Sequence, residues 1–199
     1  MNLGLRTLSL SVALCLFGLI LAPSALANGN SQNAPKYERY FGIGLHSVTY
    51  DEDDGLWGSA VKGETEGSWG AYMGRKRNRI LSTEFAYHHL GTYEPSSSLE
   101  ISAGNFSYSL RLDLPLPVVQ PYVLAGLGVG FARWENSWGN SDSGTGLSTR
   151  LGLGARIPMG DSFSIAGYVE QFNYDIETSN GNDYEQEFSI AGVAIEFHY

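Results

Sequence analysis

The chain has 199 residues, with 21 Asp and Glu against 12 Lys and Arg, a formal net charge of −9, 25 glycines and one cysteine. That is one domain's worth of chain; the acidic balance argues against nucleic acid as a partner, and a single cysteine excludes a disulfide scaffold. Abundant glycine beside many Tyr, Phe and Trp favours an all-β protein, and the sequence shows no helical periodicity beyond a turn or two after its first segment.

That first segment, residues 1–27, reads as a secretory signal peptide. Arg6 supplies the positive start, Leu8 to Leu21 the apolar stretch, and Ala25-Leu26-Ala27 the small-x-small cleavage site. Pro23 and the cleavage-like end come too early for a membrane helix of about 20 residues. Cys15 lies inside this segment, and Leu14 before it is bulkier than a lipoprotein signal accepts. Cleavage near Ala27 leaves a short polar leader, residues 28–36, and one domain over residues 37–199, without cysteine and one charge more negative.

From Tyr40 onward, apolar and polar residues alternate with a period of two in segment after segment, as in strands with two different faces. Tyr40 to Tyr50 sets Phe41, Ile43 and Leu45 against Gly42, Gly44 and His46, and an acidic loop follows over 51–67. Ser68 to Gly74 opposes Trp69, Ala71 and Met73 to Ser68, Gly70 and Tyr72, closed by the basic turn Arg75-Lys76-Arg77-Asn78-Arg79. Ile80 to Leu90 sets Leu81, Phe85 and Tyr87 against Ser82, Glu84 and His88, with a loop at 92–98. Asn105 to Leu114 is the cleanest strand: Phe106, Tyr108, Leu110, Leu112 and Leu114 on one face, Asn105, Ser107, Ser109, Arg111 and Asp113 on the other. Pro115 and Pro117 end it. Tyr122 to Trp134 places Val123, Leu127, Val129 and Phe131 opposite Gly126, Gly128 and Gly130, before a loop at 136–146. Leu147 to Ile157 pairs Leu151, Leu153 and Ile157 with Arg150, Gly152, Gly154 and Arg156. Phe163 to Ile176 is less regular, because Gln171 and Asn173 share the parity of Phe163 and Ile165; a bulge, or a strand leaving a membrane, is expected there. After a loop at 178–184 the chain ends on its most apolar strand, with Ala191, Val193, Ile195, Phe197 and Tyr199 at every odd position.

Eight strands with connections alternating long and short predict an eight-stranded antiparallel up-and-down transmembrane β-barrel. Pairing the last strand with the first would tie down a terminus that otherwise frays. The apolar face must look at lipid, because a cation facing mid-bilayer costs about 2–4 kcal/mol. Glu84, Arg111, Asp113, Arg150, Arg156, Glu170 and Glu196 share the other face and are expected inside, as a nearly neutral ion-pair network that plugs a barrel just wide enough for side chains. The glycines at 126, 128, 130, 152 and 154 would leave room for the long side chains opposite. Tyr40, Trp69, Tyr93, Trp134 and Tyr199 are expected at the membrane interfaces.

The export segment, the eight alternating strands, the run Pro121 to Gly130 and the aromatic C-terminus together resemble the OmpA-like transmembrane β-barrel family. The resemblance covers residues 37–199 and is a pattern, not an invariant motif. It implies the outer membrane of a Gram-negative bacterium, with a C-terminal strand recognised by the barrel assembly machinery. The peptidoglycan-binding domain that follows the barrel in full-length OmpA has no counterpart here, so no cell-wall tether is expected.

Weighed against specific chemistry, most other features read as structural. The acidic loop holds Asp51, Asp53, Asp54 and Glu64, a candidate cation site at a lipopolysaccharide surface, although its spacing does not fit an EF-hand and a solvated loop explains it as well. The basic turn at 75–79 suits anionic headgroups or a soluble turn. His88 and His89 are adjacent, so on a strand they face opposite ways and cannot share a metal. Gly55-Leu56-Trp57 is similar to the Gly-x-Trp of lipocalins, but a soluble barrel would turn its charged face outward. Lipid A deacylases carry a His-x-Ser pair, where this chain reads Phe172-Asn173-Tyr174. No enzyme and no cofactor is therefore expected. The reading is a monomeric outer-membrane scaffold, in contact with membrane lipids and lipopolysaccharide, acting through four surface loops in envelope integrity, adhesion or lipopolysaccharide contact. A narrow porin-like channel is the alternative.

Overall fold

Alternating residues put backbone donors and acceptors along both edges of each strand, and in lipid every one of them must find a partner. A computed structural model describes residues 39–51, 63–96, 99–136, 138, 141–160, 162–177 and 183–199. Its strands are β1 (Arg39–Tyr50), β2 (Thr65–Lys76), β3 (Leu81–Ser96), β4 (Leu99–Asp113), β5 (Gln120–Asn136), β6 (Ser141–Pro158), β7 (Phe163–Glu177) and β8 (Asp183–His198). Each pairs antiparallel with its sequence neighbours, and β1 pairs with β8, closing the barrel. The closing seam is apolar on its outer side, with Phe41 opposite Phe197, Ile43 opposite Ile195 and Leu45 opposite Val193.

The strands run further than their alternation suggests. β4 begins at Leu99, not Asn105, β6 at Ser141, not Leu147, and β3 continues to Ser96. The expected loops at 92–98 and 136–146 are therefore largely paired backbone, and the connections beyond β3, β5 and β7 shrink to 97–98, 137–140 and 178–182. Only the connection after β1, residues 51–64, is long. β7 has no bulge; it stays in register with β8 throughout, and its outer face turns polar at Gln171 and Asn173 while Phe172, Tyr174 and Ile176 are buried inside.

These extensions share a reversal of polarity. Near the termini the wall is apolar outside and polar inside: Ile43, Met73, Phe85, Tyr108, Leu127 and Ile195 are exposed, while Glu84, Arg111 and Glu196 are buried. At the far end Glu64, Glu100, Glu135 and Asp175 face outward, and Tyr50, Ile101, Phe172, Tyr174, Ile176 and Phe188 form an aromatic and aliphatic core within. The outer apolar face of β8, from Ala191 to Tyr199, spans eight residue steps of about 3.3 Å, which after strand tilt suits an apolar band of about 25 Å or less. Beyond that band the barrel packs like a soluble sandwich of strands, with water outside and hydrocarbon inside.

Three irregularities sit in β3, one of them a second register shift against β4 between Tyr93 and Ser96. One extra residue between His89 and Thr92, at Gly91 with φ of 99°, shifts the register against β4 and turns Tyr93 inward beside Leu90. The β2–β3 ladder also stops early, running only from Gly70 opposite His88 to Lys76 opposite Ser82. Above it, the His89 carbonyl accepts a hydrogen bond from the Ser68 hydroxyl at 2.8 Å and lies 3.0 Å from His46 Nε2.

A Cβ at Gly91 would meet the Tyr93 ring at 3.0 Å in a left-handed backbone. Gly91→Ala should lower stability by about 1–3 kcal/mol, read as an earlier urea midpoint for the loss of heat-modifiable mobility on gels; an unchanged midpoint would show that the bulge relaxes at no cost.

Candidate functional site

The lumen is built from the inward residues of the strands, and charge is concentrated in its half nearer the termini. Arg111 on β4 reaches Glu196 at 2.7 Å, Asp113 at 3.1 Å and Glu84 at 3.4 Å. Arg156 on β6 reaches the same Glu196 at 3.1 Å and the same Asp113 at 3.3 Å. Arg111, Glu196, Arg156 and Asp113 thus form a closed ring of alternating charge. Arg150 extends it, with Glu84 at 3.0 Å and a two-pronged contact to Glu170 at 2.7 and 2.8 Å. All seven side chains are buried. Three guanidiniums face four carboxylates, so the cluster is close to neutral, and each carboxylate accepts from more than one donor atom.

Neutral groups complete the cluster. Tyr40 and Tyr72 donate to Glu84 and Glu196 at 3.1 Å, Ser82 donates to Asp113 at 2.9 Å, and Arg156 donates to Gln120 at 2.7 Å. The Arg111 guanidinium lies 3.8 Å from the centre of the Tyr122 ring. Glycine seats these rings. Gly42 faces Tyr72, Gly74 faces Tyr40 and Gly154 faces Tyr122 across adjacent strands, and a Cβ at any of them would come within 2.5 Å of the ring. The bare wall expected around the glycines is thus partly filled by tyrosine as well as by the Glu170 stem at Gly152.

Above the charged half, His46 and His88 lie with ring centres 5.6 Å apart. Gly70 lets them approach, since a Cβ there would sit 2.8 Å from His88 Cδ2. His46 Nδ1 is 3.1 Å from the Tyr168 hydroxyl, and His88 Nε2 is 3.6 Å from Glu170. His89 points the other way, against the β4 backbone. This pairing of His46 with His88 escaped the sequence reading, because it depends on the register between β1, β2 and β3. The apolar core at the far end escaped it too, though the matching parity of Phe172, Tyr174 and Ile176 was a usable signal.

The five aromatics expected at the interfaces divide. Trp69 and Tyr199 face outward. Tyr40 instead points inward with Gly42 and Gly44, whose parity it shares, and is bound to Glu84. Tyr93 is turned inward by the Gly91 bulge, where its hydroxyl donates to the Leu90 carbonyl at 3.0 Å. Trp134 stands on the inward parity of β5 and packs against the far core. An outer aromatic cluster lies elsewhere, where Tyr87, Phe106 and Phe131 pack with tilted rings across β3, β4 and β5, neighbouring centroids 4.9 and 5.9 Å apart. Of the acidic loop, Asp53 and Asp54 fall outside the described residues. Glu64 is exposed, and Asp51 accepts a hydrogen bond from Ser189 across the β1–β8 seam. Among the described residues no group of three or more His, Asp or Glu is placed to hold a metal.

The sequence matches the family model described as outer membrane protein beta-barrel domain over residues 11–197. Among solved structures, Neisserial surface protein A superposes with a TM-score of 0.64 at 11% identity, covering 81% of this chain and 97% of that one. The N-terminal β-barrel domain of Pseudomonas aeruginosa OprF gives 0.54 at 14% identity, covering 82% and 100%. Ail, the attachment invasion locus protein of Yersinia pestis, solved in complex with the heparin analogue sucrose octasulfate, gives 0.54 at 18% identity, covering 81% and 99%. No curated protein sequence matches the chain.

Removing Arg111 would leave Glu84, Asp113 and Glu196 short of a cation in a buried site. Arg111→Ala should cost about 3–5 kcal/mol in urea unfolding of the inserted barrel. Arg133→Ala, which breaks the exposed Arg133–Glu135 contact at 3.5 Å, should stay within about 0.5 kcal/mol. Equal effects of the two would show that the internal ring contributes no more than a surface pair.

Proposed function

The chain belongs to the outer membrane β-barrel family, and we propose that within it the protein is a closed, non-conducting scaffold that presents one end of its wall at the cell surface. The observation that carries this reading is the filled lumen: a ring of four buried charges, extended by Arg150, Glu84 and Glu170, lies under an aromatic core led by Tyr174, Phe172 and Phe188. An ion passing through would have to part buried pairs, and leaving such a charge unpaired costs about 3–5 kcal/mol. Two layers in series, one charged and one hydrocarbon, oppose conduction by different means.

Charge along the outside supports an orientation. Arg39, Arg75, Arg77 and Arg79 are exposed at the end with the termini and the tight turns, while the opposite end bears Glu64, Glu94, Glu100, Glu135 and Asp175. Basic side chains at headgroup level gain about 1 kcal/mol each from anionic lipid, which suits the periplasmic leaflet of an outer membrane reached after signal cleavage near Ala27. The acidic end then faces outward and is the part available for adhesion, envelope integrity or lipopolysaccharide contact. An outer band that is apolar on strand after strand argues against a soluble lipocalin-like binder. β8, apolar to its last residue, is the strand offered to the assembly machinery, and the barrel works as a monomer.

The mature protein, refolded into planar bilayers, should insert and stay electrically silent. Discrete openings whose size changes in an Arg111→Ala, Arg150→Ala variant would make a narrow channel the primary activity and overturn the plug.

A further inference from the structure

Two of the chain's four histidines meet inside the lumen, at the joint between the ring of charge and the aromatic core. His46 on β1 and His88 on β3 are both buried, with ring centres 5.6 Å apart. The strand between them, β2, brings Gly70 opposite His88 and so no side chain to separate the rings. Hydrogen bonds fix the state of His46. A carbonyl only accepts, so Nε2, 3.0 Å from the His89 carbonyl, carries the proton, and in the neutral ring Nδ1 accepts from the Tyr168 hydroxyl at 3.1 Å. His88 is held more loosely, with Nε2 3.6 Å from Glu170. Its Nδ1 has no hydrogen-bond partner among the described residues, nor has Oδ1 of Asn105, the residue opposite it on β4. The charged and titratable groups that act on the pair are Glu170 and Tyr168 of β7, Arg150 of β6, and His89 of β3, whose ring points out of the lumen. Facing the pair from β2, β4 and β8 are Gly70, Asn105 and Gly192, which carry no charge.

We infer that this joint is an acid-operated release for the plug: when His46 and His88 both take up a proton, the two layers part and the barrel admits water and small ions. Imidazole is the side chain whose ordinary charge change falls between about pH 5 and 8. With both rings neutral, three guanidiniums face four carboxylates among the buried charges. One imidazolium balances that surplus. A second sets five cations against four carboxylates and places two like charges 5.6 Å apart in a low-dielectric interior, where their repulsion is strong. Strand β7 carries the effect to both layers, because three successive inward residues touch the pair. Tyr168 must turn its hydroxyl from donor to acceptor when His46 Nδ1 gains a proton. Glu170 is drawn toward His88 and away from Arg150, which now holds it by two bonds. Phe172, on the underside of the aromatic core, has its ring centre 5.1 Å from that of His88, and a charge set against hydrocarbon needs water beside it. The inference rests on the closed lumen proposed above.

Planar bilayers bathed in potassium chloride at about pH 7.5 and about pH 5, which bracket the ordinary histidine range, test it with the mature protein. The wild type should be silent at the higher pH and open at least tenfold more often at the lower. His46→Gln with His88→Gln, which keeps a donor for the His89 carbonyl but cannot take up a proton, should be silent at both, whereas His198→Gln, at the end with the termini, should respond as the wild type does. Hydrogen exchange of the wild type in detergent, corrected for the intrinsic effect of pH, reads the joint even if the double variant fails to fold. Amides of β7 from Tyr168 to Tyr174 should lose at least tenfold in protection at the lower pH, while those of β4 from Tyr108 to Leu112 keep theirs. Silence of the wild type at both pH values, or equal protection of β7 at both, would overturn the release and leave the plug standing. So would a response that survives in the double variant or vanishes in His198→Gln, since acid would then act elsewhere. Openings already present at the higher pH would overturn the plug and the release together.

Discussion

Closure of the sheet is the constraint on which the rest depends. A single open edge within hydrocarbon would leave a row of donors and acceptors unpaired at several kcal/mol apiece, so β1 must meet β8 in register. Once Phe41 is opposite Phe197 and Ile43 opposite Ile195, the parity of the whole wall is fixed, because a slip of one residue would turn Glu196 and Arg111 toward lipid. The glycine seats follow from the same geometry. An eight-stranded barrel has room for few large side chains per layer, and Tyr40, Tyr72 and Tyr122 fit only because glycine stands opposite each.

The charged half shows what such a small interior does with ions. Arg111 and Arg156 share two carboxylates, so no charge in their ring depends on a single partner. The cluster ties five strands together through side chains, β3 by Glu84, β4 by Arg111 and Asp113, β6 by Arg150 and Arg156, β7 by Glu170 and β8 by Glu196. Nonpolar residues could fill the same space at equal or better stability. What the ions add is exclusivity, since carboxylates and guanidiniums find no other surroundings in a bilayer that would accept them.

The part of the wall that faces lipid was legible in the sequence, because lipid outside and polar groups inside impose strict alternation. Asn105 to Leu114 shows it most clearly, and its inward Arg111 and Asp113 were identifiable from parity alone. Legibility ended where lipid ends. Beyond the band the outside is water and the inside is hydrocarbon, so Ile101 and Ala103 point inward between Glu100 and Ser102, the reverse of the pattern below. Read with one rule for the whole chain, these rungs resemble loop. Tyr40 was assigned by residue type when its parity already placed it inside. Tyr93 could not be placed by parity at all, since one extra residue at Gly91 reverses it. The meeting of His46 with His88 needed the register of three strands, which no single strand carries.

The shortness of the connections at 97–98, 137–140 and 178–182 bears on how such a surface can diverge. A barrel that meets its surroundings through long loops can change them freely, because loop residues have few structural obligations. Here most of the end away from the termini is paired strand over a packed core, so a change in that surface has to be made one alternate residue at a time, with each neighbour inside held fixed. The connection at 51–64 is where an insertion would disturb the least paired backbone, while the wall can change chiefly in its outward-facing side chains.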